Sequence, residues 1–143
     1  LYLFVHNLIY ALSSGVSHSA QMALARMMDQ AAKGIYNYRD EVREYALRTE
    51  RIREILTRHG FHLVYDKDVD EPVGNGFFFT IGYGEMAGGE LLTELLCYGV
   101  SSISLSTTGS EQQGVRACTS RMRSELYEVM EERMRAFHED HPL

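Results

Sequence analysis

Apolar residues at Leu1, Phe4, Val5, Leu8, Ile9 and Leu12 recur at the three-and-four spacing of an α-helix. The chain therefore opens on a helix with a buried or half-buried stripe. A Ser- and Gly-rich break at 13–17 follows, and Ser17 or Ser19 can cap a second helix over about 19–33, rich in Ala and Met and stopped by Gly34. Asn37 caps a third helix, about 38–59, with an apolar stripe of Tyr38, Val42, Tyr45, Ile52 and Leu56. Glu44 with Arg48, and Glu54 with Arg58, stand four apart and support its exposed face. Gly60 fits a left-handed stop.

Beyond Gly60 the period changes. Residues 61–65 read as a strand, and an acidic hairpin loop over 66–75 holds Pro72, the only proline before the C-terminal tail. The aromatic and β-branched run 76–83 is a second strand. Gly88 and Gly89 lead into a short helix, 90–98, closed by Gly99. A strand at 100–105, a polar bend at 106–114 and a strand around Arg116 come next. The last helix, about 124–138, buries Leu126, Met130, Met134 and Phe137. This order predicts an α+β fold: a small, mostly antiparallel sheet of three or four strands packed against helices and preceded by a long helix.

Composition narrows the functional classes. A formal charge of −6 argues against nucleic acid, which is bound by neutralising phosphates with a basic face. The opening helix is too short and too polar, with His6 and Asn7, to span a bilayer, and it lacks the pattern of a signal peptide. Cys97 and Cys118 form neither a metal spacing nor a disulfide framework, so a reduced, cytoplasmic protein is expected. The chain starts in the middle of an apolar pattern without an initiator Met and reads as part of something longer.

The residue with the most chemistry is Arg116, a single guanidinium in the uncharged, strand-like run GVRACTS. An inward-facing charge needs a partner, and the planar fork of Arg matches a carboxylate through two parallel hydrogen bonds. Arg116 is thus a candidate carboxylate receptor, or else an outward-facing Arg or one paired with a local Glu. Other groups read as structural. His59 and His62 flank a helix end, and no metal is expected there. His138 and His141 belong to a charged tail expected to be solvated. Asp66, Asp68, Asp70 and Glu71 lack the Gly and closing Glu of a calcium loop. Cys118 reads as a small core residue, the glycines at 82, 84, 88 and 89 as turn-shaping, and the Met clusters as core or interface packing.

Five segments, in order, resemble the C-terminal part of the fold-type I, pyridoxal-phosphate-dependent aminotransferases of class I/II. They are SSGVSHSAQMALARMM, YRDEVREYALRTERIREILTRHGF, GNGFFFTIGY, GELLTELLCYGVSSISLSTTG and GVRACTS. The resemblance covers nearly the whole chain. It implies an interdomain helical segment over 1–34 and an aminotransferase small domain over 35–143. Arg116 stands where the family holds the substrate α-carboxylate, which implies amino-acid and 2-oxo-acid substrates, and the turn at 13–18 would approach the cofactor or a neighbouring subunit in a homodimer. Ala117, Cys118 and Thr119 depart from the family's usual continuation.

Pyridoxal phosphate needs a Schiff-base lysine. The only lysines are Lys33, at a helix end, and Lys67, in the acidic loop, and neither has the family's context. The lysine and the rest of the cofactor site are expected in a large domain, no catalytic or cofactor-binding residue is assigned here, and this chain alone is expected to be inactive. The alternatives are a free-standing α+β ligand-binding or regulatory module and a dimerisation domain.

Overall fold

The computed structural model describes residues 1–73 and 76–143, with backbone only for His6 and Glu41. Gly74 and Asn75, which end the acidic loop and begin GNGFFFTIGY, lie outside the described residues. The chain forms two compact units, Leu1–Asp40 and Glu41–Leu143.

The first unit is helical. α1 (Tyr2–Phe4) runs through a π-helical stretch, Val5–Tyr10, into α2 (Ala11–Ser13). The chain then reverses through Ser14 and Gly15, both at positive φ, and enters α3 (His18–Ala32). Ser17 occupies the capping position, but its hydroxyl bonds the Ser19 hydroxyl at 3.0 Å instead of a helix N–H. The opening stripe is helical but not buried: Leu8 is 47% exposed and Leu12 80%. Helical spacing fixes which side chains share a face. It does not supply a second layer to cover them.

The second unit has a core. α4 (Tyr38–Arg58) begins where the Asn37 side-chain oxygen accepts the Arg39 N–H at 3.2 Å. Ile52, Ile55 and Leu56 are buried, whereas Tyr38 and Val42, earlier in the same stripe, are exposed. The Glu44–Arg48 pair forms at 3.0 Å. Glu54 instead takes Arg51, and Arg58 reaches across to Glu131 at 2.8 Å, a partner with no sequence neighbourhood to announce it. Gly60, at φ +87°, ends the helix where an added Cβ would meet Leu143, His138 and Tyr83.

The sheet is antiparallel, in the order β1 (Phe61–Leu63), β4 (Phe78–Tyr83), β6 (Val115–Cys118), β5 (Ile103–Ser104). Between β1 and β4 the acidic loop folds into a small ribbon, β2 (Lys67–Asp68) with β3 (Glu71–Pro72). β5 is shorter than its apolar run. A 3₁₀ turn, Leu105–Thr108, takes over, held by the Thr108 hydroxyl donating to the Leu105 carbonyl at 2.7 Å and by Gly109 at positive φ.

Phe79, Ile81, Tyr83 and Val115 point to one face of the sheet, against α4, α5 (Gly88–Cys97) and α6 (Tyr127–Asp140). Leu91, Leu95, Met130, Met134 and Phe137 complete that core, so the helices pack on one side of the sheet. Leu126 precedes α6 in a 3₁₀ turn and is exposed, not buried as its spacing suggested. The C-terminal tail is docked rather than solvated. His138 Nδ1 lies 2.7 Å from the Tyr83 hydroxyl, and that hydroxyl donates to the His141 carbonyl. The His141 ring packs at a tilt against Phe137, with ring centroids 4.7 Å apart. Tyr98 donates to Asp140 at 2.6 Å, and that bond, then burial and nearby charges, pushes its phenol up to about 12. Among the described residues, no helix is long and apolar enough to cross a membrane.

Candidate functional site

Strand pairing sets where Arg116 goes. β6 places it opposite Thr80 on β4 and Ile103 on β5, one residue out of phase with buried Val115. Side chains alternate across a strand, so Arg116 emerges on the face away from the helices. Phe78, Thr80 and Cys118 share that face. Gly114 leads into β6 at φ +137°, with the Ile81 carbonyl only 2.5 Å from where a Cβ would sit. Any other residue there would push β6 off β4 and move the guanidinium.

Arg116 is half-buried, and its guanidinium carbon lies 4.5 Å from the centre of the Phe78 ring. Stacking of this kind uses the flat face of the guanidinium and leaves its N–H edge available. Among the described residues no acidic side chain pairs with it. It borders a cleft of about 140 Å³, also lined by Arg53, Tyr65, Asp66, Phe78 and Thr80. Thr80 is not free to turn toward a ligand, because its hydroxyl accepts the Tyr65 N–H at 3.0 Å. The Tyr65 hydroxyl is within 2.6 Å of the Ser110 hydroxyl, which ties the far wall to the bend before β6.

Arg53, from α4, is the residue that sequence reading missed. It is half-buried and forms no ion pair among the described residues. Nothing in its sequence context separates it from Arg51 or Arg58, both of which pair with glutamates. Two arginines, Arg53 and Arg116, thus border the cleft together with one exposed acidic residue, Asp66. Such a site favours a small anion, with a planar carboxylate the best match to the free edge of Arg116.

The remaining sequence candidates fall elsewhere. His59 lies 2.7 Å from Glu131 as part of the α4–α6 contact, while His62 covers Gly82 on the open face. Among the described residues, no group of three or more His, Cys, Asp or Glu is placed to hold a metal ion. Cys118 is exposed, 3.2 Å from the Ser120 hydroxyl, and not in the core, because it shares the phase of Arg116 along β6. The two lysines do not suit a Schiff base to pyridoxal phosphate. Lys33 is exposed and paired with Asp29 at 2.8 Å, and Lys67 is exposed on the acidic ribbon. Neither is desolvated by apolar surroundings, as such a nucleophile requires. The chain matches no protein-family model and no curated protein.

Proposed function

We propose that this chain is the small-domain part of a pyridoxal-phosphate-dependent aminotransferase, in which Arg116 binds the α-carboxylate of an amino acid or 2-oxo acid. The observation that carries the reading is the state of Arg116: half-buried, stacked on Phe78, with its edge unpaired among the described residues. The cofactor lysine belongs to a large domain on which the open sheet face would dock. There the chain's task is binding and orientation: holding the substrate carboxylate fixes the reacting carbon, and closing the sheet face over it excludes water. The exposed apolar side chains of residues 1–40 suit a homodimer or interdomain surface. The exposed free thiols Cys97 and Cys118 suit a reduced, cytoplasmic setting.

In the polypeptide that carries the cofactor lysine, Arg116→Lys raises the KM for amino acids while thermal stability stays nearly constant. Losing a bidentate charge-assisted pair is worth about 1.5–3 kcal/mol, roughly 10- to 100-fold in KM. An unchanged KM overturns the assignment. The second arginine, Arg53, favours one other reading, a free-standing module that binds a small dicarboxylate. Calorimetric titration of the 143-residue chain with glutarate separates the two. Binding that Arg53→Gln abolishes, with no pyridoxal phosphate present, supports the module, and no heat supports the enzyme.

A further inference from the structure

A second cavity, on the opposite side of the sheet from Arg116, has no part in that reading. It encloses about 250 Å³ between β6, α4 and the start of α6, with Leu56, Met122, Leu126 and Met130 among its walls. Apolar walls of this kind do not hold water well, and an unfilled void leaves side chains without contact partners. One side of it differs. The segment from Gly99 to Ser102 brings backbone and two polar side chains to the lining. Ser102 Oγ is buried and, among the described residues, is the one buried side-chain oxygen with no hydrogen-bond partner. A buried orphan of this sort calls for a ligand or a water that satisfies it.

Arg133 supplies the second polar group. From α6 its Nη1 donates to the Gly99 carbonyl at 3.2 Å. The guanidinium lies close over Gly99, so near that an added Cβ would sit 2.7 Å from Nη1. Among the described residues Arg133 has no acidic partner, although Glu131 and Glu139 on the same helix are each taken by another arginine. A cation and an orphaned hydroxyl therefore stand within four residues of backbone at one side of an otherwise apolar chamber. Pockets with mostly apolar walls and a few polar groups fix a ligand by its head and accommodate its tail.

We infer that this cavity binds an amphipathic monocarboxylate, its alkyl chain against Met122, Leu126 and Met130 and its carboxylate accepting from Arg133 and the Ser102 hydroxyl. The site is independent of Arg116, and the inference stands or falls apart from the aminotransferase reading.

Sodium octanoate is the probe, titrated into the 143-residue chain with ¹³C-labelled methionine methyls. Saturable shifts are expected at Met122 and Met130, with Met22 unmoved. 1-Octanol, with the same chain and no charge, and acetate, with the charge and no chain, should each bind at least about tenfold more weakly. Arg133→Gln should weaken octanoate by about tenfold, and Ser102→Ala by a smaller factor. Arg133 is exposed, so its variant is expected to fold. Val129→Trp, which fills the chamber from its rim, should block the shifts independently. Octanol binding as tightly as octanoate reduces the site to an apolar void and overturns the inference. So do an absence of shifts, or shifts that disappear in Arg116→Gln but persist in Arg133→Gln.

Discussion

Leucines in the two units have opposite fates. Leu91 and Leu95 in α5 are fully buried, whereas Leu1, Leu3 and Leu12 at the start of the chain are at least 71% exposed. Leu91 and Leu95, like Leu3 and Leu12, sit on helices with an apolar stripe. The difference is that α5 lies on a sheet whose face offers Ile81, Tyr83 and Val115, while among the described residues the first unit buries no side chain. A helix contributes half of an interface, and its periodicity says nothing about the other half. The unit built around the sheet closes its own core, and residues 1–40 present a surface suited to being covered.

The sharpest way to break this contrast is to make one substitution in both units. Leu95→Ala removes a side chain with no exposure from among Leu91, Met134 and Phe137, and should cost about 2.7–5 kcal/mol through lost transfer energy and the cavity left behind. Urea denaturation monitored by circular dichroism measures it. A loss below about 1 kcal/mol would mean that the core can collapse onto the gap, and the second unit would then be less well packed than its burial suggests.

A polar pair tests the same core with a smaller effect. The Thr49 hydroxyl donates to the Gly76 carbonyl and lies 2.9 Å from the Thr119 hydroxyl, joining α4 to the end of β6. Thr49→Val keeps the shape, strips the Gly76 carbonyl of its donor and takes a partner from the buried Thr119 hydroxyl, at an expected cost of about 1–3 kcal/mol. The same replacement at exposed Thr57, whose hydroxyl only returns to its own helix, should be close to neutral. Equal costs at the two sites would remove Thr49 from the list of residues that fix α4 on the sheet.

Glu131 gives the contrast a pH signature. Burial by itself would raise its pKa, but hydrogen bonds from His59 and Arg58, with the charge of both, outweigh that and hold it below the ordinary 4.5. A carboxylate with a depressed folded pKa stabilises above its unfolded value and loses that contribution as pH falls through the folded one. The α4–α6 contact should therefore weaken below about pH 4.5, with Glu131→Gln removing about 1 kcal/mol at pH 7 and flattening the acid limb. Parallel acid limbs in the two proteins would show that Glu131 is not the group responsible.

The residues that were legible in the sequence were those whose partners are local. Gly60, Gly34 and Gly99 stop helices as read, Glu44 finds Arg48, and the Asp-rich loop is a hairpin. The α+β class followed from the order of periods, and the four-stranded antiparallel sheet agrees with it. What was hidden depends on distant chain. Arg58 left Glu54 for Glu131, seventy-three residues away, and the tail histidines docked on Tyr83 and Phe137. Cys118 was read as core because it is small, yet strand phase puts it beside Arg116. The same phase was the available clue to the open face: Val115 buried implies Arg116 turned away from the helices. Arg53 had no such clue, since its role in the cleft follows only from where α4 lies against β4.

The smallest expected effect completes the matched pair. Leu24→Ala in α3 removes the same atoms as Leu95→Ala, but from a side chain that is 58% exposed. Its cost should stay within about 0.5 kcal/mol, because water already solvates most of what is lost and Ala is the better helix former. The measurement should be repeated at several protein concentrations. A cost that grows with concentration means that a second copy covers the α3 surface and that association is part of the fold's stability. A concentration-independent cost of several kcal/mol would mean that residues 1–40 have an internal core after all, and the division between a closed unit and an open one would fail.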